Sequence, residues 1–378
     1  MRHDYNITPF HNNWDDTRRS WLALAWFDGF GCRTLHKLHA QVKDAAWDIA
    51  PTRLLEFGCK PHTVERFLEY RARTDPHKLA ESLDEMGIQF VLITDDDYPP
   101  LLRQISDPPV ALFVRGSLEG CKRQAVAVVG TRRNTPYGKR AAEWIGEELA
   151  KHGVTIVSGL AGGIDTIVHE TGVRAGTTCL AVLGSGIDEG SIYPRSNLAL
   201  SKRIIEAGGA LISEFGPGTE GLKHHFPLRN RLISGLSRAT VVVEAAEKSG
   251  SLITAHFALE QNRDVFSVPG PITSDTSGGT NRLLAMGAIP CTSPEDITRL
   301  FATTIPLPLP KHINLEPEEK SLLRLLDSPH HTDDLARALK LSIARINTLL
   351  MRLEIHGYVA SQGAHIYIRT HAAPDDES

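Results

Sequence analysis

The sequence predicts an α/β protein built on a parallel sheet, with a small helical module before it and a winged helix after it. Three observations carry this. Six short apolar runs alternate with helical segments between residues 125 and 268. The region before residue 90 has helical spacing only. The region after residue 316 reads as three helices and a hairpin. At 378 residues, with 41% hydrophobic and 23% charged content, the chain has room for two or three ordinary domains.

Residues 1–88 form the helical module. Apolar residues fall at helical spacing in SWLALAWF and VERFLEY. Between two of these helices sits FDGFG, Phe27 to Gly31, the helix-hairpin-helix pattern, whose backbone N–H groups can hold a DNA phosphate. An ordinary αα-turn with a glycine C-cap accounts for the same residues.

Residues 89–302 form the central domain, with 89–121 as its leading extension. The extension carries strand-like runs at Val91–Thr94 and Ala111–Val114, separated by proline-fixed turns. The six runs that follow are AVAVV, VTIVS, CLAVL, ALIS, TVVVE and VFSV. Near-continuous apolar strands are buried on both faces. Helices are expected at Tyr137–His152, Ile164–Ala175, Arg195–Ala207, Leu228–Leu236 and Ser251–Asn262. In such sheets ligands bind beyond the carboxyl ends of the strands.

A proline-punctuated linker spans 303–315, the winged helix 316–370, with Thr332 and Ser342 as N-caps, and an acidic tail 371–378. From Glu316 to Ser378 there are seven Lys/Arg against ten Asp/Glu. The recognition helix carries only Arg345 and Arg352 as full positive charges, so this module fits a protein partner as readily as a DNA groove.

The net charge of −4 argues mildly against a nucleic-acid binder, but its distribution does not. Lys122, Arg123, Arg132, Arg133, Lys139 and Arg140 occupy one acid-free segment. Lys223, Arg229, Arg231 and Arg238, with His224 and His225, occupy another. Two such segments suggest a local anionic ligand. Five scattered cysteines without a CxxC pair suggest neither a disulfide framework nor a zinc site. No secretory signal or membrane span is expected, and the chain is placed in the cytoplasm.

Each informative turn follows a strand. After the first comes GTRRNTPYG, which has Gly130 but lacks the two further glycines at the spacing a dinucleotide fingerprint needs. The others are GLAGGID, GSGIDEGSIYPRSN, EFGPGTEGLKHHFPLRNR and AAEKSGSLITA. Gly162 and Gly163 open a helix whose N-terminus suits a phosphate. Arg132, Lys223, Arg229, Arg231 and Lys248 supply cations to one rim, and Phe226 and Tyr193 offer faces for a base. Gly130, Thr131, Asn230, Ser249, Gly250 and Thr254 complete the expected DNA-binding set. GSGIDEG opens no helix and reads as a turn, not a nicotinamide site. Asp165 and Asp188 are open to a metal-ligand or base role; Asp165 at a helix start also reads as a dipole partner. No nucleophile–base pair, metal-ligand spacing or P-loop is present, so neither catalytic residue, metal nor cofactor is expected.

As a set, VGTRRNTPYG, SGLAGGID, LGSGIDEGSIYPRSN, SEFGPG with KHHFPLRNRLISGLS, EAAEKSGSLITA and GGTNRLLAMGA resemble the DNA-processing protein A family (DprA, also called Smf). The match is dense over roughly residues 90 to 300. The resemblance implies a Rossmann-like core that binds single-stranded DNA and loads the recombinase RecA onto it during natural transformation. It implies a SAM-like N-terminal domain, homodimers through the Rossmann-like domain, and single-strand-binding protein as a further partner. By position, Arg132 and the Lys223/Phe226/Arg229/Arg231 loop would line the DNA pocket. Two rivals remain. A nucleotide phosphoribohydrolase would share the fold, but Leu284 stands where its motif needs glutamate. A regulator acting through the winged helix is opposed by that module's acidity.

Overall fold

The computed structural model describes residues 12–302, 315–355, 358–361 and 365–370. The linker over 303–314 and the tail over 371–378 lie outside them. By internal packing the chain divides into two compact units, residues 1–301 and 302–378.

In the first unit five helices come first: α1 (Asp16–Trp26), α2 (Cys32–Gln41), α3 (Pro51–Glu56), α4 (Pro61–Arg73) and α5 (Pro76–Glu85). The FDGFG turn joins α1 to α2, and its two phenylalanines are core: Phe27 and Phe30 are 4% and 7% exposed, with rings 4.9 Å apart. This helical layer shares a hydrophobic core with the sheet; Trp26 meets Phe113 edge-on at 6.0 Å.

The sheet has nine strands. β1 (Gln89–Leu92) and β2 (Ala111–Gly116), flanking a short α6 (Pro100–Arg103), add antiparallel at one side. The leading extension is thus part of the sheet. Then come β3 (Ala125–Val129), α7 (Pro136–Lys151), β4 (Thr155–Ser158), α8 (Ile164–Ala175), β5 (Cys179–Val182), α9 (Leu198–Glu206), β6 (Ala210–Ser213), α10 (His225–Gly235), β7 (Ala239–Val242), α11 (Ser251–Glu260), β8 (Asp264–Ser267), α12 (Gly278–Ala285), β9 (Ile289–Pro290) and α13 (Glu295–Ala302). The order is β1-β2-β6-β5-β4-β3-β7-β8-β9, and the strands from β3 to β9 run parallel. From β3 the chain steps one way to β6, then returns to lay β7 on the other side of β3. That reversal opens a crevice at the carboxyl ends of β3 and β7. Two cores fill the faces, one including α7 and α8, the other α10 and α11.

Two expected helices begin elsewhere. The fourth-loop helix starts at His225 rather than Leu228, because Pro227 is tolerated in a first turn. The segment after YP opens with a 3₁₀ turn, Arg195–Asn197, before α9.

The second unit holds α14 (Pro317–Leu325), β10 (His330–His331), α15 (Thr332–Leu339), α16 (Ile343–Ile355), β11 (Val359–Ser361) and β12 (Ile366–Arg369). Its three strands order β10-β12-β11, the wing, over a core that includes Leu322, Leu335, Ile346, Leu349 and Leu353. Ser342 Oγ accepts from Arg345 N at 3.3 Å, as a cap should. Thr332 is not the N-cap of α15. It is the first helical residue, and His331 caps, accepting from Asp333 N.

Candidate nucleic-acid interface

The turn after β3 is held from behind. Gly130 cannot be replaced without collision: a Cβ there would lie 2.6 Å from Ile164 and 3.1 Å from the Glu244 carbonyl. Thr131 N donates to Glu244 O at 2.7 Å, and Ile164 N donates to Thr131 O at 3.2 Å. With its backbone fixed between β7 and α8, the turn projects Arg132 outward, exposed and without an ionic partner among the described residues.

Gly163 belongs to the same clamp. Its φ is +80°, and a Cβ there would come within 2.3 Å of Thr131 O. Its glycine is required by the neighbouring turn rather than by a phosphate. Thr131 serves the same turn, its backbone in the clamp and its side-chain Oγ1 accepting from Arg133 N at 3.2 Å. Gly162 lines the smaller of two cavities described below. Arg133 is exposed and lines neither.

α10 carries the central residues. Arg229, only 3% exposed, lies inside the crevice wall, its Nη1 donating to Gly159 O at 2.6 Å and to Val182 O. Burial pulls its pKa down to about 10; Asp165 opposes that shift and Arg132 adds to it. Asp165 is buried, its Oδ2 accepting from Gly159 N at 3.1 Å and Ala161 N at 3.3 Å. Burial raises its pKa against the pull of Arg229. Asp165 thus ties the β4 loop and acts electrostatically on Arg229. Asp188 joins the loops after β5 and β6, accepting from Ser191 Oγ at 3.0 Å in its own loop and from Gly218 N at 2.8 Å in the other.

Phe226 stands where the cations converge. The Arg132 guanidinium lies 5.2 Å from its ring centroid, that of Arg229 6.0 Å, and the half-exposed Tyr193 ring 5.7 Å. Lys223 is exposed at the mouth with no ionic partner among the described residues. Across the crevice, Asn230 Nδ2 donates to Gly250 O at 3.2 Å, joining α10 to the loop before α11. Ser249, Gly250 and Thr254 line that side. The cavity measures about 600 Å³, and a second of about 220 Å³ adjoins it behind Arg132, Tyr193 and Phe226.

Two residues of the expected set line neither cavity. Arg231 is two residues beyond Arg229, so a helix of 3.6 residues per turn turns it to the opposite face. There it is 2% exposed and paired with Glu214 and, at 3.1 Å, with Asp107. Lys248 is exposed on its loop but lines neither cavity.

Two residues were missed from sequence. Glu244, 2% exposed, accepts from Thr135 N at 2.9 Å, Thr135 Oγ1 at 2.5 Å and Thr276 Oγ1 at 3.2 Å, knotting three loops beneath the crevice. Asn197 ties the YPRSN loop to the β4 loop, donating to Leu160 O and Thr166 Oγ1, both at 2.8 Å. A carboxylate closing an apolar strand was the available signal for Glu244. His169 is wholly buried on α8, and burial pushes its pKa down to about 4, Arg229 adding to the effect.

In the second unit Arg345 and Arg352 are both neutralised. Arg345 pairs with Glu316 at 3.0 Å and Glu318 at 2.7 Å; Arg352 pairs with Glu316 at 2.8 Å and Glu319 at 3.3 Å.

Residues 89–302 match the family model described as DNA recombination-mediator protein A, and residues 306–365 match the DprA winged helix domain. Protein Smf of Escherichia coli (strain K12) is 37% identical over 331 residues, covering 84% of this chain and 87% of that protein. The X-ray structure of DNA processing protein A from Streptococcus pneumoniae superposes with a TM-score of 0.66 at 35% identity, over 75% of this chain and 97% of that one. A Helicobacter pylori DNA processing protein A, whose structure is described for its single-stranded DNA binding mode, superposes with a TM-score of 0.51 at 30% identity, over 57% and 96%.

Proposed function

The chain belongs to the DNA recombination-mediator protein A family, and from that premise we propose that it binds single-stranded DNA in the β3/β7 crevice and loads RecA onto the bound strand. The observation that carries the reading is the convergence of Arg132 and Arg229 on the Phe226 ring, with Lys223 lining the same open cavity. Basic side chains beside an aromatic face are what a single strand needs, with phosphates on the cations and a base on the ring. The clamped β3 turn supports this. It spends its one glycine on packing against α8 and β7, which leaves room for an arginine where a cofactor pyrophosphate would sit.

The site acts by binding, without catalysis of its own. Asp165 is the only carboxylate among the residues lining the two cavities, and it is buried with its Oδ2 bound to the backbone of Gly159 and Ala161. Work in DNA uptake and recombination, a cytoplasmic location, homodimers through the Rossmann-like domain and encounter with single-strand-binding protein complete the reading. Among the described residues no helix is long and apolar enough to cross a membrane. The test is fluorescence anisotropy with labelled oligothymidine. Arg132→Ala combined with Lys223→Ala abolishes tight binding while circular dichroism stays unchanged; retained affinity at moderate salt refutes the site. A recombinase-loading assay on strands coated with single-strand-binding protein tests the second half of the reading.

A further inference from the structure

α7 carries a second, separate surface. Tyr137, Arg140, Ala141, Trp144 and Ile145 fall at i, i+3, i+4, i+7 and i+8, one face of the helix. Such a face is ordinarily covered. Here Ile145 is 2% exposed, but Trp144 is 50% and Tyr137 40% exposed. Both line a cleft of about 400 Å³, with Val268 and Cys291 as its buried floor and Pro294 on the far wall. That volume falls within the ~300–1,000 Å³ of small-ligand sites. No lining residue is shared with the DNA crevice.

Arg140 is the only charged residue lining this cleft, exposed and without an ionic partner among the described residues. Of the neighbouring carboxylates, Glu143 pairs with Lys139, Asp296 is held by Arg299, Thr292 and the backbone of Ser293, and Glu295 hydrogen-bonds with Ser293. One unspent cation beside an aromatic and aliphatic trough selects one carboxylate joined to one apolar group. A nucleic acid or a phosphopeptide would call for several cations.

We propose that this cleft captures the C-terminal end of a partner polypeptide whose last residue is apolar. The terminal carboxylate pairs with Arg140, and the last side chain lies between Tyr137 and Trp144 over Val268 and Cys291. The occupant is a chain end rather than an internal segment, because only a chain end brings a carboxylate and an apolar side chain on the same residue.

The experiment uses the full-length protein and a labelled glycine–serine peptide ending in phenylalanine. The free-acid peptide binds saturably and changes Trp144 emission. Amidating its terminus, Arg140→Ala and Trp144→Ala each weaken binding at least tenfold, while oligothymidine binding by Arg140→Ala is unchanged. Equal affinity for acid and amide, or no saturable binding of the acid, overturns the proposal. So does octanoate competing as well as the peptide, which assigns the cleft to a fatty acid. A change of oligomeric state on Trp144→Ala overturns it too, because a second copy of the chain then covers this face.

Discussion

The crevice and the recognition helix of the winged helix each present basic side chains, and they differ in whether those charges are already used. Arg132 and Lys223 stand exposed with no ionic partner among the described residues, at the mouth of a cavity. Arg345 and Arg352 on α16 are bridged by Glu316, Glu318 and Glu319 of the winged helix itself. The outward residues of α16 include Ile343 and Met351, 51% and 65% exposed. A count of basic residues therefore misleads; only charge left unpaired by the fold is available to a polyanion. The contrast recurs within α10, where Arg231 is spent on Glu214 and Asp107 while Arg229 borders the ligand space.

The largest effect expected sharpens that contrast between available and spent charge. Arg231→Leu strands Glu214 in the core and costs about 3–5 kcal/mol. Urea unfolding measures it, and the folded fraction binds oligothymidine normally; a lost DNA affinity would return Arg231 to the site. Next is the buried imidazole of α8. His169 is neutral when folded, its pKa near 4 against an ordinary 6.5. The unfolded chain takes up a proton below about pH 6.5 that the folded chain refuses. Stability is therefore full above pH 6.5 and falls towards pH 4, by about 3 kcal/mol at most. His169→Leu flattens that part of the pH profile of urea midpoints; an unchanged slope would place the titration elsewhere.

Smaller in free energy is the paired loss of Arg132 and Lys223. It lowers oligothymidine affinity on the order of 100-fold and reduces the salt slope by about 1.4, at roughly 0.7 per phosphate contact on a single strand. Smallest is the matching change in the other region. Arg345→Ala with Arg352→Ala alters affinity for single or double strands by less than about twofold, since those charges are already screened by their partners. A tenfold loss there would break the comparison outright and make the winged helix a second DNA reader.

Much of this was legible in the sequence, for local reasons. Valine-rich runs between helical segments give a buried parallel sheet, and a parallel sheet brings every following loop to one edge. Arg132 and Lys223 were readable because each sits in such a loop, and Phe226 because it lies in the first turn of the helix that follows one. Arg231 was misread although the remedy was at hand: residues two apart on a helix face different ways. What stayed hidden depends on partners distant in sequence. Nothing near Arg345 announces Glu316, and nothing near Gly163 announces that its hydrogen must clear Thr131 O. Glu244 looked like the end of a strand, yet its carboxylate meets Thr135 across 109 residues and Thr276 across 32.

That last carboxylate has a consequence for how the protein is made. Its partners lie in the first and last thirds of the sheet's sequence, so the floor of the crevice closes only after the chain has been synthesised past Thr276. A ribosome-bound fragment ending between β7 and β8 holds Arg132, Lys223 and Phe226, yet has no partner at Thr276 to complete the knot. Contacts of such long sequence separation form late. The knot beneath the crevice is thus completed only once the chain extends past Thr276.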